Sequence, residues 1–405
     1  MNIYFSGIGG TGIGPLALLA SDAGLKVFGS DLARGAVYDD ILESGAELEI
    51  GPQDGKFLQK VYDRHGINWF VHTSALPSDH PELVLAKKLG IKVTKRDDLI
   101  NYIINEKNLE LIAIAGTHGK TTTTAMMIWA CQQLSLPISY AVGTTLPFAR
   151  SGQLDSNSKY LVYECDEYDR NFLKFRPKLA LITTVSYDHT DIYPTKEDYR
   201  RAFEQFEARS EQVVHSAKNA AAGLTLPGQH NRANATLVID GLAKLGIEVD
   251  QAKLVGTLNR FPGSNRRFEK LAEGLYTDYA HHPDEIAATI QMARELSDKV
   301  AVIYQPHQNT RQHQVKSGYV HAFDQASKVF WLPTYLTRED PSLPVITPAE
   351  FIDRLANKQA AQPAELNDEL WLEIQKLRSE GFLVLLLAAG PADSWLRQKA
   401  QEVIQ

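Results

Sequence analysis

The sequence predicts a three-domain α/β protein whose sheets are mostly parallel. Three observations carry this. Apolar runs of strand length alternate with helical patterns along the chain, the order that builds parallel β/α units. Glycine-rich turns stand between a strand and a helix at two places, Ser6-Gly-Ile-Gly-Gly-Thr-Gly-Ile-Gly14 and Gly116-Thr-His-Gly-Lys120. And 405 residues exceed what one core usually supports. We place the domains at 1–107, 108–262 and 263–405, with a linker near Lys107.

In the first domain, a strand at residues 3–5 leads through the glycines into a helix at 15–23 and a second strand at 26–31, ending in Asp31. That is the order of a Rossmann-like dinucleotide fold. The glycines let the main chain approach a pyrophosphate at the helix start, and Asp31 could accept hydrogen bonds from a ribose. By itself the turn suits NAD, FAD or a UDP-sugar alike. Strands follow at 46–50 and 69–74, then a helix at 82–89 and a strand at 91–94. The loop after Thr73 and Ser74 lies at a strand's carboxyl end, where open parallel sheets bind ligands, and His80 is a candidate there. Residues 97–110 read as polar with a helical tail.

The central domain opens with an apolar strand at 111–115 that runs into Gly116, Thr117, His118, Gly119, Lys120, Thr121 and Thr122. This is the grammar of a phosphate cradle: amides close around an anion, Lys120 reaches the terminal phosphates and the Thr121 hydroxyl can ligate Mg²⁺. The strict pattern would have glycine at Ile114, so the cradle is a shortened variant. A helix passes through Trp129 and Cys131, and a strand follows at 138–142. The strand that begins at Tyr160 then discharges Glu164, Asp166, Glu167 and Asp169. Acids so close repel one another unless a cation or hydrogen bonds hold them, and Mg²⁺ on Glu164 is the economical explanation beside a phosphate loop. A third strand at 179–185 ends in the segment 186–191, where Asp188 and His189 could hold a second metal ion or orient a reacting carboxylate. In a parallel sheet these strand ends share one rim. A helix at 197–206 follows, then another opening near Leu226 with His230, Asn231 and Asn234. Asn231 and Asn234 lie on one helical face, suited to a purine edge or to capping.

The third domain has its own β/α alternation, opening with Arg266 and Arg267, cations able to neutralise phosphate charge. A strand ends in Asp278 and leads to Tyr279, His281 and His282 before a helix that Pro283 starts. Further strands at 301–304 and 383–388 lead to Gln305-Pro-His-Gln-Asn-Thr-Arg311 and to Gly390-Pro-Ala-Asp393.

The composition, 44% apolar and 22% charged, is that of an ordinary soluble globular chain, and a net charge of −7 gives no general reason to expect nucleic acid. Cys131 and Cys165 are too few for a disulfide framework and read as packing residues in a reducing cytoplasm. No secretion signal is evident at the start, and the longest apolar stretch, 382–389, is too short for membrane insertion and reads as a buried strand.

Taken together these stretches resemble the Mur ligase family of peptidoglycan synthesis, whose motifs they follow in order across all three domains. The matching runs are Gly7-Ile-Gly-Gly10 with Asp31, the 115–123 loop, the 164–169 acids, Asp188-His189, Pro227-Gly-Gln-His-Asn231 with Asn234, Arg266-Arg-Phe268, the 278–283 run, and Gln305-Pro-His307 with Thr310-Arg311. The resemblance implies a cytoplasmic, ATP-dependent ligase, monomer or homodimer, that joins L-alanine to the lactyl carboxylate of UDP-N-acetylmuramate through an acyl phosphate. It implies a UDP-binding first domain, with Gly7, Ile8, Gly9, Gly10, Thr11, Gly12, Asp31 and Ser74 on the sugar nucleotide. By the same analogy ATP is held by residues 116–122, with Asn231 and Asn234 at the adenine, Asp278 near the ribose and Arg267 on the phosphates. Thr121 and Glu164 would hold one Mg²⁺ and His189 a second. Lys120, His189, Arg267, His281 and Arg311 would serve the chemistry, with Tyr279 and His281 at the acceptor. Three departures stand out: Gln308 where the family usually has arginine, a short 206–227 region, and Gly390-Pro-Ala-Asp393 in place of a Gly-Ala-Gly-Asp wording. Other readings are a ligase that joins the same sugar nucleotide to a preformed tripeptide, a nicotinamide-dependent dehydrogenase and a non-catalytic nucleotide-binding protein.

Overall fold

The structure, a computed structural model, describes residues 1–74, 76–189, 192–217, 219–337 and 339–402. Thr190 and Asp191 of the 186–191 segment, and Lys218 of the 206–227 region, lie outside the described residues. The chain forms two compact units, Met1–Leu224 with Ala233–Pro262, and Thr225–Arg232 with Gly263–Gln405.

The first unit holds two sheets. Strands β1 (Asn2–Ser6), β2 (Lys26–Asp31), β3 (Glu47–Ile50), β4 (Trp69–His72) and β5 (Lys92–Lys95) form a parallel sheet in the order β3-β2-β1-β4-β5. Helices α1 (Gly14–Asp22), α2 (Tyr38–Glu43), α3 (Lys56–His65), α4 (Pro81–Lys88) and α5 (Arg96–Glu106) accompany it. The strand order reverses at β1, so the glycine turn that follows β1 sits at the switch point where such sheets bind ligands. Residues 97–110 are not a polar stretch with a helical tail. Residues 97–106 all lie in α5, which buries Leu99, Ile100 and Ile103 and hides Asp97 beneath its first turn, and Glu110 opens the next strand.

After a three-residue connection comes the second sheet, of β6 (Glu110–Ala115), β7 (Ser139–Ala141), β8 (Gly152–Gln153), β9 (Tyr160–Glu164), β10 (Leu179–Ile182) and β11 (Gln212–His215). Its order is β11-β10-β6-β9-β7-β8, parallel except where β8 turns back on β7. Thus β6 lies between β9 and β10, and the three expected loaded ends are neighbours. Helices α6 (Lys120–Gln133), α7 (Lys196–Glu207), α8 (Gln229–Lys244) and α9 (Gln251–Leu258) follow in chain order. Strands β8 and β11 and helix α9 were not expected. One apolar cluster joins both sheets of this unit, with Leu16 and Leu19 of α1 in the same packing as Ala141 and Tyr163.

The second unit is built on β12 (Glu269–Ala272), β13 (Leu275–Asp278), β14 (Val300–Gln305), β15 (Lys328–Trp331), β16 (Ala361–Pro363) and β17 (Leu383–Ala388). The order is β12-β13-β17-β14-β15-β16, with β12 antiparallel. Helices α10 (Pro283–Leu296), α11 (Asn309–Val315), α12 (Pro348–Ile352), α13 (Asp368–Ser379) and α14 (Ala392–Glu402) cover it. The capping box of His282 and Glu285 with Pro283 explains why α10 starts where it does. β17 is buried along its whole length, each leucine contributing roughly 1.5–3 kcal/mol. Residues 225–232, within the range 108–262 drawn from the sequence, group with this unit, where Arg232 holds Glu295 at 2.8 Å.

Candidate functional site

The phosphate-type loop is shaped by two glycines that nothing else could replace. Gly116 has φ +135°, and a Cβ there would stand 2.1 Å from Thr183 Oγ1. Gly119, at φ +88°, would put one 3.0 Å from Asn234 Oδ1, so this buried amide walls the loop. The segment leaving β10 holds the loop in place. The Thr117 N–H donates to the Thr184 carbonyl at 2.6 Å, its hydroxyl donates to the Ser186 carbonyl at 2.8 Å, and the His118 N–H donates to Thr184 Oγ1 at 3.1 Å. The strand expected over 179–185 therefore stops at Ile182, because its continuation serves the loop. Thr122 follows Thr121 in the first turn of α6.

Glu167 is the hub, and sequence reasoning missed it. It is fully buried, and the Lys120 Nζ donates to its Oε2 at 2.6 Å while also reaching the Gly116 carbonyl at 2.5 Å. The Tyr199 hydroxyl donates to Glu167 Oε1 at 3.4 Å, and His189 Nε2 lies 3.6 Å from the same oxygen. Burial works against charge on Lys120, but Glu167, with Asp166 and Glu164, holds its pKa above the usual value. Burial likewise opposes the His189 imidazolium, and the Glu167 hydrogen bond with Asp188 nearby outweighs it, so its pKa is raised. His189 itself adopts φ +54°, its N–H donating to Asp188 Oδ1 at 2.7 Å.

Three of the four acids at the end of β9, Asp166, Glu167 and Asp169, are held by protein cations. Lys120 serves Glu167. Arg96 donates to Asp166 at 3.0 Å, and Lys95 pairs with Asp169, which also accepts from the Ser74 hydroxyl at 3.1 Å. Burial raises and these cations lower the Asp166 pKa, with a net lowering, and Asp169 is lowered chiefly by Lys95. Lys95, Arg96 and Ser74 come from the first sheet's carboxyl rim, 70 to 95 residues before their partners. Glu164 is the acid of the four that could hold a hard cation together with Thr121. Its Oε2 lies 3.1 Å from the Thr121 hydroxyl and its Oε1 accepts the Gly143 N–H at 3.1 Å. A carboxylate and a hydroxyl side by side at a helix start fit Mg²⁺.

At the first turn, the Gly7 and Ile8 amides both donate to the Ser30 carbonyl, at 2.9 and 3.1 Å. Asp31 holds the turn from behind, accepting the Gly9 N–H at 2.8 Å and the Leu32 N–H at 2.7 Å. Both carboxylate oxygens, expected at a ribose, thus already serve the main chain. Ile8 is buried and its side chain packs in the core of this unit. A second missed residue, the buried Glu82 of α4, accepts from Tyr4, Ser6 and Ser30 hydroxyls at 2.6, 2.6 and 2.5 Å and so ties together the two strands that flank the turn. A pocket of this unit is lined by Thr11 and Gly12 of the turn, Arg96, Lys120, Glu164 and Asp166, among others.

In the second unit, Asp278 is buried with its oxygens on the Phe268 and Ala280 amides, both at 2.7 Å, and burial pushes its pKa up to about 6. Arg266 and Arg267 both lie against the Tyr279 ring, at 4.7 and 5.3 Å. Burial lowers His281 to about 4, so it is neutral near pH 7. Its Nδ1 faces the Tyr279 carbonyl at 3.1 Å and Glu285 Oε2 at 3.4 Å, both acceptors, so Nδ1 carries the hydrogen and Nε2 the lone pair. Arg311 is on α11, which begins after Gln308 at φ 62° and whose first amides Glu339 accepts at 3.0 and 2.9 Å. Asn231 donates to the Pro227 carbonyl at 3.1 Å, a local role alongside the purine reading. Cys131 and Cys165 are buried thiols, and no described helix is long and apolar enough to cross a membrane.

Three family models match this chain in succession: the Mur ligase family catalytic domain over residues 2–108, the Mur ligase middle domain over 114–214 and the Mur ligase glutamate ligase domain over 266–390. The UDP-N-acetylmuramate–L-alanine ligase of Carboxydothermus hydrogenoformans is 30% identical, covering 96% of this chain and 94% of its own. That of Paenarthrobacter aurescens is 29% identical over 97% and 95%. Among solved structures, the UDP-N-acetylmuramate–alanine ligase MurC of Thermotoga maritima superposes with a TM-score of 0.78 at 24% identity, covering 100% of this chain and 99% of that one. A murein peptide ligase of Psychrobacter arcticus gives 0.63 at 21% identity, with 100% and 98% covered.

Proposed function

The chain belongs to the Mur ligase family, and we propose that it is an ATP-dependent ligase joining L-alanine to the lactyl carboxylate of UDP-N-acetylmuramate. The observation that carries this reading is the pocket in the first unit, where the glycine turn of the first sheet and Lys120 of the phosphate loop border one space. A sugar nucleotide seated on the turn thereby brings its carboxylate toward the group that handles phosphate.

The chemistry follows from the reactants. A carboxylate repels an amine and has no good leaving group, so its oxygen first takes the terminal phosphoryl group of ATP, releasing ADP. The amine of L-alanine then attacks the acyl phosphate, and phosphate departs with one oxygen of the original carboxylate. Lys120, fixed by the Gly116 carbonyl, is aimed to compensate the charge that builds on the transferring group. Thr121 and Glu164 would hold one Mg²⁺ and His189 a second, ions that screen phosphate charge when bound. We assign His281, whose Nε2 carries the lone pair, to the acceptor amine, as the family resemblance implies. Its low pKa makes it a group that orients an N–H rather than one that stores a proton.

The test is ADP release with the sugar nucleotide and a panel of L-alanine, L-serine, glycine and a tripeptide, with mass spectrometry of the UDP-linked product. Release that needs both partners and is fastest with L-alanine is expected. Joining of the tripeptide alone, or NAD(P)H turnover without ATP, would overturn the reading.

A further inference from the structure

We propose that Arg96 is the cation that takes an anionic oxygen of the sugar-nucleotide donor at the glycine turn, a role that rests on the donor reading above. Arg96 opens α5 at the carboxyl end of β5, so its side chain stands on the ligand rim of the first sheet. Its guanidinium lies directly against the turn: a Cβ on Gly12 would be 2.9 Å from Nη1. It also lines the pocket that Lys120 and Glu164 share.

The donors at this spot exceed the acceptors. A guanidinium offers five N–H groups, and among the described residues Arg96 makes one hydrogen bond, from Nη2 to Asp166 Oδ2 at 3.0 Å, with Asp97 Oδ1 3.8 Å from Nε. Its Nη1 has no hydrogen-bond acceptor among the described residues, nor have the main-chain amides of Thr11 and Gly12. Neighbouring Lys95 is different, since Asp169 already holds it. A half-buried fork with one tine anchored and another facing unused amides suits an oxyanion. Asp166 then acts as the positioning residue that keeps the guanidinium on the rim. Two groups of the donor have this chemistry, its diphosphate and its lactyl carboxylate.

Isothermal titration of the whole chain distinguishes them. Wild type, Arg96→Gln and Arg96→Lys are titrated with UDP-N-acetylmuramate, with UDP-N-acetylglucosamine, which has the diphosphate but no lactyl carboxylate, and with Mg²⁺ and a non-hydrolysable ATP analogue. We expect Arg96→Gln to weaken UDP-N-acetylmuramate by roughly tenfold or more, with Arg96→Lys in between because it keeps the charge and loses the fork. Affinity for the ATP analogue should stay within about twofold of wild type, which also certifies the fold. Equal weakening of both sugar nucleotides assigns Arg96 to the diphosphate, and weakening confined to UDP-N-acetylmuramate assigns it to the carboxylate. Unchanged donor affinity in Arg96→Gln overturns the proposal while leaving the donor reading intact, and so does a parallel loss of the ATP analogue. Failure of the wild-type chain to bind UDP-N-acetylmuramate overturns both.

Discussion

The turn at residues 7–12 and the loop at 116–119 are both glycine-rich junctions between a parallel strand and a helix, at the point where their sheet reverses direction. They differ in charge. Behind the first turn stand acids, Asp31 on the Gly9 amide and Glu82 on the flanking serines, and the cation at its front, Arg96, comes from another strand's end. The second loop contains its own cation, Lys120, balanced by the buried Glu167. Glycines therefore set how closely the backbone can approach a ligand, while the charge placed around them decides what group is handled. A turn that borrows its cation is suited to holding a diphosphate or carboxylate still, and a loop that owns one is suited to a phosphoryl group in transit.

The sharpest way to break this comparison is Lys120→Ala. We expect turnover to fall by at least about 10³-fold, the scale of losing a charge that the transition state needs. The structure adds a stability cost. Without Lys120 the buried Glu167 carboxylate loses the ammonium partner of its Oε2, a loss of up to about 3–5 kcal/mol that Tyr199 and His189 on Oε1 offset in part. Adding Glu167→Gln should restore most of the melting temperature and none of the turnover. Recovery of activity in the double variant would show that Lys120 serves the fold alone.

Next in size is the backbone itself. Gly116→Ala meets Thr183 Oγ1 at 2.1 Å and the Thr184 carbonyl at 2.8 Å, so we expect a loss above roughly 3 kcal/mol in denaturant unfolding. Gly7→Ala has open space and only its φ of +76° to strain it, for about 1–2 kcal/mol. Equal costs would mean that the two junctions are not built as different devices. The smallest effect belongs to Asp169, which links the two sheets through Lys95 and Ser74. Its pKa is lowered in the folded chain, so its stabilisation is present above the ordinary value of 3.8 and fades as pH falls through the folded value below it. Asp169→Asn tolerates the φ of 55° there, and its melting temperature should trail wild type near pH 6 and converge with it in acid.

Much of this was legible because it is local. The strand at 111–115, the glycines and Lys120 are contiguous, as are β1, its turn and α1, and the buried β17 reads directly from its leucines. The burial of Leu99, Ile100 and Ile103 was also written in their spacing, though the acids beside them suggested a polar stretch. What the sequence hid is non-local. Nothing near Glu167 separates it from three neighbouring acids, and only the fold reveals that Lys120, Tyr199 and His189 converge on it. Arg96 and Asp166 are 70 residues apart and meet because two sheets pack through one apolar cluster. Strand β11, four residues of Gln-Val-Val-His at a sheet edge, has no periodicity long enough to detect.

The most direct measurement follows an oxygen atom. UDP-N-acetylmuramate labelled with ¹⁸O in its lactyl carboxylate is turned over with ATP and L-alanine, and the released phosphate is weighed by mass spectrometry. One labelled oxygen in each phosphate is the expected result, since the leaving phosphate takes it from the acyl phosphate. Amide product accompanied by unlabelled phosphate would contradict the account.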